Sequence, residues 1–187
     1  MRTPTILLLG CLLLTTAATA QRRDAASGPV RLLATRLTST LEREMNQAAD
    51  AGYRFTSVTA GRTGSDDEVV ALMTTGAESG RYRYRVLNAA LNPFAQIQSA
   101  ARDGFEYRAH TSRIESSGER LLFILEKDTR STERWEYVVR QTSRTSTMEK
   151  EVAESLAAGY TIVDSLFTAR TRVGEADLLV VMRRPAK

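Results

Sequence analysis

The sequence is poor in the residues that carry out chemistry. One of its 187 residues is cysteine and one is histidine. A metal centre built from such ligands needs several of them, so neither a metal nor any other cofactor is expected. The one cysteine, Cys11, lies in an apolar N-terminal run. If that run is removed, no disulfide can form, and stability must come from packing even in an oxidising compartment. Lysine is confined to Lys127, Lys150 and Lys187; the other basic residues are arginine. The arginine fork suits phosphate and carboxylate, but a coding bias gives the same composition. Acids and bases are interspersed, so the formal charge of +4 makes no field of one sign. No glycine-rich phosphate loop occurs. Asp66-Asp67-Glu68 lacks the alternating ligands and glycine of a calcium loop.

What is present begins with an export signal. Arg2 supplies the positive start, residues 6–14 an apolar run broken only by Gly10 and Cys11, and Ala18-Thr19-Ala20 a small-x-small cleavage site before Gln21. The run is too short to span a bilayer. Leu8-Leu9-Gly10-Cys11 resembles a lipoprotein signal, but it lies too early and the apolar run continues past it. The expectation is a periplasmic or secreted protein with residues 1–20 removed and 21–29 a flexible lead. Export sets nucleic acid aside as a partner.

Three stretches then share one layout. Residues 40–53 (TLEREMNQAADAGY), 92–105 (NPFAQIQSAARDGF) and 147–160 (TMEKEVAESLAAGY) each stop at a glycine followed by an aromatic residue. Their apolar stripes are Leu41, Met45, Ala48 and Ala49; Phe94, Ile97, Ala100 and Ala101; and Met148, Val152 and Leu156. This spacing predicts three amphipathic helices. Ser39 and Ser146, with Glu42 and Glu149 three residues on, read as capping boxes; Asn92 before Pro93 reads as a cap with proline at the first helical position. Gly52, Gly104 and Gly159 read as structural helix stops in the left-handed conformation.

Strands are expected before each helix (30–37, 81–87, 134–141) and after each glycine (54–59, 106–111, 161–167). Polar loops follow at 61–67, 112–118 and 168–175. The runs 69–73, 121–125 and 178–182 are apolar without alternation, the mark of a strand buried on both faces. A right-handed crossover makes the first two strands of each set parallel; the apolar third would insert between them, antiparallel to both. The fold class is therefore α+β: three strand-helix-strand-strand units (30–76, 80–128, 133–185) with helices on mixed, mainly antiparallel sheet. The pattern leaves open whether the strands form one extended sheet or three sheets around a pseudo-threefold centre.

Trp135-Glu136-Tyr137-Val138-Val139, the turn Gly159-Tyr160-Thr161-Ile162-Val163-Asp164-Ser165 and the apolar strand at 178–184 resemble a small bacterial family of unknown function. That family is marked by a W-E-Y-K-V first strand and a G-W-E-L-V-S helix-to-strand turn. Arg83-Tyr84-Arg85-Val86 with Gly104-Phe105-Glu106-Tyr107 repeats the pattern, and the run from Gly52 to Val58 keeps only the turn. The resemblance implies compact units and carries over no catalytic residue.

Function is less legible than fold. His110 aligns with Val58 and Ser165 of the other copies. Arg62, Arg113, Arg170 and Arg172 fall in the expected second-to-third-strand loops, where a shared edge would form a rim for an anionic glycan, a lipid phosphate or an acidic envelope protein. The expectation is a non-enzymatic binding or scaffolding module of the bacterial envelope. The alternatives are an envelope hydrolase whose carboxylates, or His110 and a carboxylate, converge only in the fold, and a self-assembling protein joined through exposed first strands such as 81–87. Intact-mass analysis of the protein recovered from an exporting host should show a chain beginning at Gln21; a lipidated N-terminal Cys11 or a retained residue 1 would refute the cleavage site.

Overall fold

A computed structural model describes residues 28–63, 66–89, 93–115, 118–172 and 175–186. The expected signal and residues 21–27 lie outside them. The first sheet is built from β1 (Val30–Thr35), β2 (Tyr53–Thr63) and β3 (Asp66–Thr75), with helix α1 (Thr38–Asp50) between β1 and β2. The second is built from β4 (Tyr82–Ala89), β5 (Glu106–Glu115) and β6 (Gly118–Asp128), with α2 (Pro93–Arg102) after β4. The third contains β7 (Trp135–Thr142), β8 (Thr161–Ile162), β9 (Phe167–Arg172) and β10 (Glu175–Pro185), with α3 (Thr145–Ala157) after β7. The result is a mixed α+β fold of three mainly antiparallel sheets, not one extended sheet. The orders are β1-β3-β2, β4-β6-β5 and β7-β10-β8, with β9 also on β10. The apolar strand is central in every sheet and antiparallel to its neighbours. A strand such as β6, whose residues 121–126 are all buried, has no wet face to offer an edge.

The local expectations need four corrections. Helices α1 and α3 start one residue before Ser39 and Ser146, and neither N-cap residue, Leu37 or Arg144, makes a side-chain cap. Instead Thr35 and Thr142 accept the Leu37 and Arg144 N–H groups, each at 3.2 Å. Glu42 is withdrawn from capping because its carboxylate accepts the Val86 N–H at 2.8 Å. Pro93 is the first residue of α2; Asn92 lies outside the described residues. Phe94 and Leu156 are exposed rather than part of buried stripes. The expected polar loops are hairpin arms, paired in the first sheet up to Thr63↔Asp66. The strand expected over 161–167 is broken, because the Asp164 carboxylate accepts the next residue's N–H at 2.7 Å, a local turn that competes with the ladder.

Each helix stops where expected in backbone terms. Gly52, Gly104 and Gly159 have φ of +85°, +87° and +83°. The next N–H then folds back to a helical carbonyl, Phe105 to Ala100 and Tyr160 to Ser155, both at 3.0 Å.

Every sheet has a front, which carries its own helix, and a back. Leu33, Ala71 and Met73 on the front of the first sheet pack with Leu41 and Met45 of α1. The same core takes in Tyr82, Tyr84, Val86, Leu122 and Ile124 from the back of the second sheet. The front of the second sheet, with Phe123 and Leu125, packs with Ile97 of α2 and with Tyr137, Leu179 and Val181 from the back of the third. Val180 and Met182 on the front of the third pack with Met148 of α3. Back-to-front stacking thus joins the layers. No helix among the described residues is long and apolar enough to cross a membrane.

A Cβ at Gly52 would stand 3.1 Å from the Ala77 carbonyl oxygen, whereas at Gly159 it would meet nothing within 4 Å. Gly159→Ala should therefore lose only the left-handed strain, about 1–2 kcal/mol, and Gly52→Ala more than that. Urea unfolding of the two variants measures the difference; equal losses would contradict it.

Candidate functional site: the layer junctions

Among the described residues the buried carboxylate Glu126 lies where one layer meets the next, whereas the buried Ser155 hydroxyl serves within the third layer, where it accepts from Arg140 Nε at 2.9 Å. A β-bulge between Phe55 and Ser57 in β2 disturbs the ladder there. The Phe55 N–H is taken up by the Tyr84 hydroxyl of the next sheet at 2.8 Å. Tyr84 in turn donates to Glu126 Oε2 at 2.9 Å. Glu126 is buried and forms an ion pair with Arg54 Nη2 at 2.7 Å, with Arg108 Nε at 3.6 Å. Burial first, then the Glu126 carboxylate, pushes the Tyr84 phenol well above its usual range, so it remains a donor. Alongside, α1 lies against the outer edge of β4. Asn46 accepts the Tyr84 N–H and donates to the Tyr84 carbonyl, both at 3.0 Å, and Glu42 takes the Val86 N–H. This edge, expected to be open for self-assembly at 81–87, is covered.

The second junction repeats these parts with one inversion. A bulge lies between Tyr107 and Ala109, and the Tyr107 N–H donates to the Tyr137 hydroxyl at 2.9 Å. Gln98 of α2 accepts the Tyr137 N–H at 3.0 Å. The ion pair is Arg183 with Glu106 at 3.0 Å. Arg54 and Glu106 each stand two residues after a helix-stopping glycine, and their ion-pair partners Glu126 and Arg183 stand on the central strands of the following sheets, in register with Tyr84 and Tyr137. The acid and the base have changed places.

This junction also holds His110. Its Nδ1 lies 2.6 Å from Asp164 Oδ2, and the Tyr107 hydroxyl donates to the same oxygen. Asp164 reaches them from the break between β8 and β9, and its other oxygen takes the Ser165 N–H. The imidazole stacks on Phe167 with centroids 3.7 Å apart. Burial raises the Asp164 carboxyl, but the Tyr107, His110 and Ser165 donors outweigh it and hold the group below the ordinary range. Burial, then the hydrogen bond to Asp164, drives the Tyr107 phenol far upward. A histidine held at Nδ1 by a carboxylate is the arrangement that orients a general base. The ring's described hydrogen bonds all lie at Nδ1.

The arginines singled out by sequence stand on strands, not in loops. Arg62 is exposed on β2 opposite Asp67. Arg113 on β5 is opposite Arg120 and donates to the Arg36 carbonyl of the first layer. Arg170 on β9 is exposed, and its backbone N–H donates to Glu119 of the second layer at 2.8 Å. Arg172 closes β9, opposite Glu175. Arg62 and Arg172 thus face acids across their hairpins, whereas Arg113 faces a second arginine and Arg170 faces Ala176. Among the described residues no three His, Cys, Asp or Glu come together as a metal site. Comparison with protein-family models, with curated proteins and with solved structures finds no match to this chain.

The residues that sequence reasoning missed are Tyr84, Tyr137, Glu126, Glu106, Arg183 and Asp164. A tyrosine recurring on each aromatic first strand was their visible signal, as was an Asp-Ser pair inside an expected strand.

Asp164→Asn tests the His110 cluster. A carboxyl depressed on folding contributes stability that is fully present above its unfolded pKa, about 3.9, and is lost as pH falls through its lower folded value. The wild type should exceed the variant in urea stability near neutral pH, and the gap should close progressively below about pH 4. A gap that is constant with pH would remove the carboxylate from this role.

Proposed function

We propose that the three layers are tandem copies of one strand-helix-strand-strand unit, of the kind seen in the small bacterial family that the chain resembles. The exported protein then serves as a non-enzymatic binding or scaffolding module of the cell envelope. The observation that supports this reading is the use made of the buried polar groups: at both junctions they pair with groups of the neighbouring layer. A stack held in this way presents an extended surface, as repeat architectures do. Its partners would be an envelope protein, an anionic glycan or a lipid phosphate, met at the hairpin arms that carry Arg62, Arg113, Arg170 and Arg172.

One observation favours a second reading, an envelope hydrolase: the Asp164 carboxylate holds His110 by Nδ1. The two readings separate in one experiment. Purified wild-type protein and His110→Ala are assayed for hydrolysis of peptidoglycan and phospholipid and for cosedimentation with both. A scaffold gives binding without turnover in both proteins, with Arg62→Glu/Arg170→Glu losing it. Turnover by the wild type that disappears in His110→Ala would establish the hydrolase instead.

A further inference from the structure

The two ends of the stack are complementary. The three sheets can be aligned on equivalent rows paired on both sides of the central strand: Val30–Thr74–Arg54, Tyr84–Glu126–Glu106 and Tyr137–Arg183–Thr161. This register makes Val30 and Leu32 the counterparts of Tyr84 and Val86, which the first layer covers. Leu32 is 66% exposed where Val86 is 9% exposed. At the other end, Ile162 takes the place of Phe55 and Tyr107, three residues after its glycine. It is 50% exposed where Phe55 is 6% exposed. Leu156 of α3 is likewise exposed where Ala49 and Ala101 are buried, and Leu166, between β8 and β9, is exposed as well. Most of the large exposed apolar side chains therefore belong to two faces, the back of the first sheet and the front of the third.

We infer that these faces join copies of this chain head to tail, with α3 and β8 of one copy against β1 and β3 of the next, repeating the internal junctions. Three features select a second copy as the occupant. Internal layers already stack by this back-to-front geometry. Glu149 stands ten residues before its glycine, as Glu42 does before its own, and so is placed to accept the Leu32 N–H of the next copy as Glu42 accepts that of Val86. The charged pair of the internal junctions is replaced on both faces at once. Thr161 stands where Arg54 and Glu106 are, and Thr74 where Glu126 and Arg183 are. The joined ends bury no lone charge, whereas a mismatched junction would. Val30 cannot cap a bulge as Tyr84 does, and Ala153 replaces the amides of Asn46 and Gln98, so the contact is weaker than the internal ones and reversible.

The inference rests on the tandem-unit reading, but its test does not depend on the scaffold role, since hydrolytic activity would leave the mass distribution unchanged. Sedimentation of the purified protein over a concentration series should show mass rising with concentration. Leu32→Glu and Leu156→Glu, surface changes whose folding is verified by circular dichroism and urea unfolding, should each be monomeric. Their equimolar mixture should give a dimer and nothing larger, because each variant keeps the end that the other lacks. Glu149→Ala should weaken wild-type association about tenfold, as for loss of one charged hydrogen bond. A wild type that stays monomeric to about 1 mM, where a contact of 4 kcal/mol is half formed, overturns the inference. So does a mixture without dimer, or association only after residues 1–27 are removed.

Discussion

A single helix cannot cover the sheet on which it lies. A 13-residue helix such as α1 is about 20 Å long and 10 Å wide. Three strands of up to 11 residues make a face about 35 Å long and 15 Å wide. The apolar remainder must be closed by something else, and here the back of the next sheet closes it. From this constraint follow the central position of the most apolar strands and the sharing of one core between two layers. It also explains the concentration of buried polar groups at the boundaries, where backbone groups disturbed by bulges need partners from outside their own sheet.

The polar junction groups answer that need in a graded way. Tyrosine brings a large apolar body and one hydroxyl, so it fills the boundary and takes up an N–H at once. Asn46 and Gln98 do the corresponding work on the strand edges, where an open row of N–H and C=O groups would otherwise invite another strand. The ion pairs contribute less to stability than to choice of neighbour, since removing charges from water offsets much of their attraction. Arg54 with Glu126 and Glu106 with Arg183 still fix which back fits which front.

Much of the fold was legible because its causes are local. A glycine that must adopt positive φ, an apolar run without alternation and a stripe at helical spacing each reveal themselves within a dozen residues. That is why the helix stops and the central strands fall where periodicity puts them. The failures have a common cause as well. Glu42 has the spacing of a capping residue but serves Val86, 44 residues away. Leu156 completes a helical stripe, yet no further layer covers it among the described residues. Asp164 breaks a strand and delivers its carboxylate to a histidine 54 residues earlier. Such pairings are set by how the layers stack, which leaves no trace in local spacing. The candidate site was visible only as a single histidine without a stated partner.

The exchange of acid and base between the two junctions has a consequence for how such a chain can change length. Excision of the whole middle layer would leave a chain of intact local signals, with every helix, glycine stop and central strand in order. It would nevertheless bring Arg54 of the first layer against Arg183 of the third, two guanidinium groups in a boundary built for opposite charges. Loss of the middle layer by recombination is thereby penalised at the seam, so the charges of the two junctions protect that layer in particular.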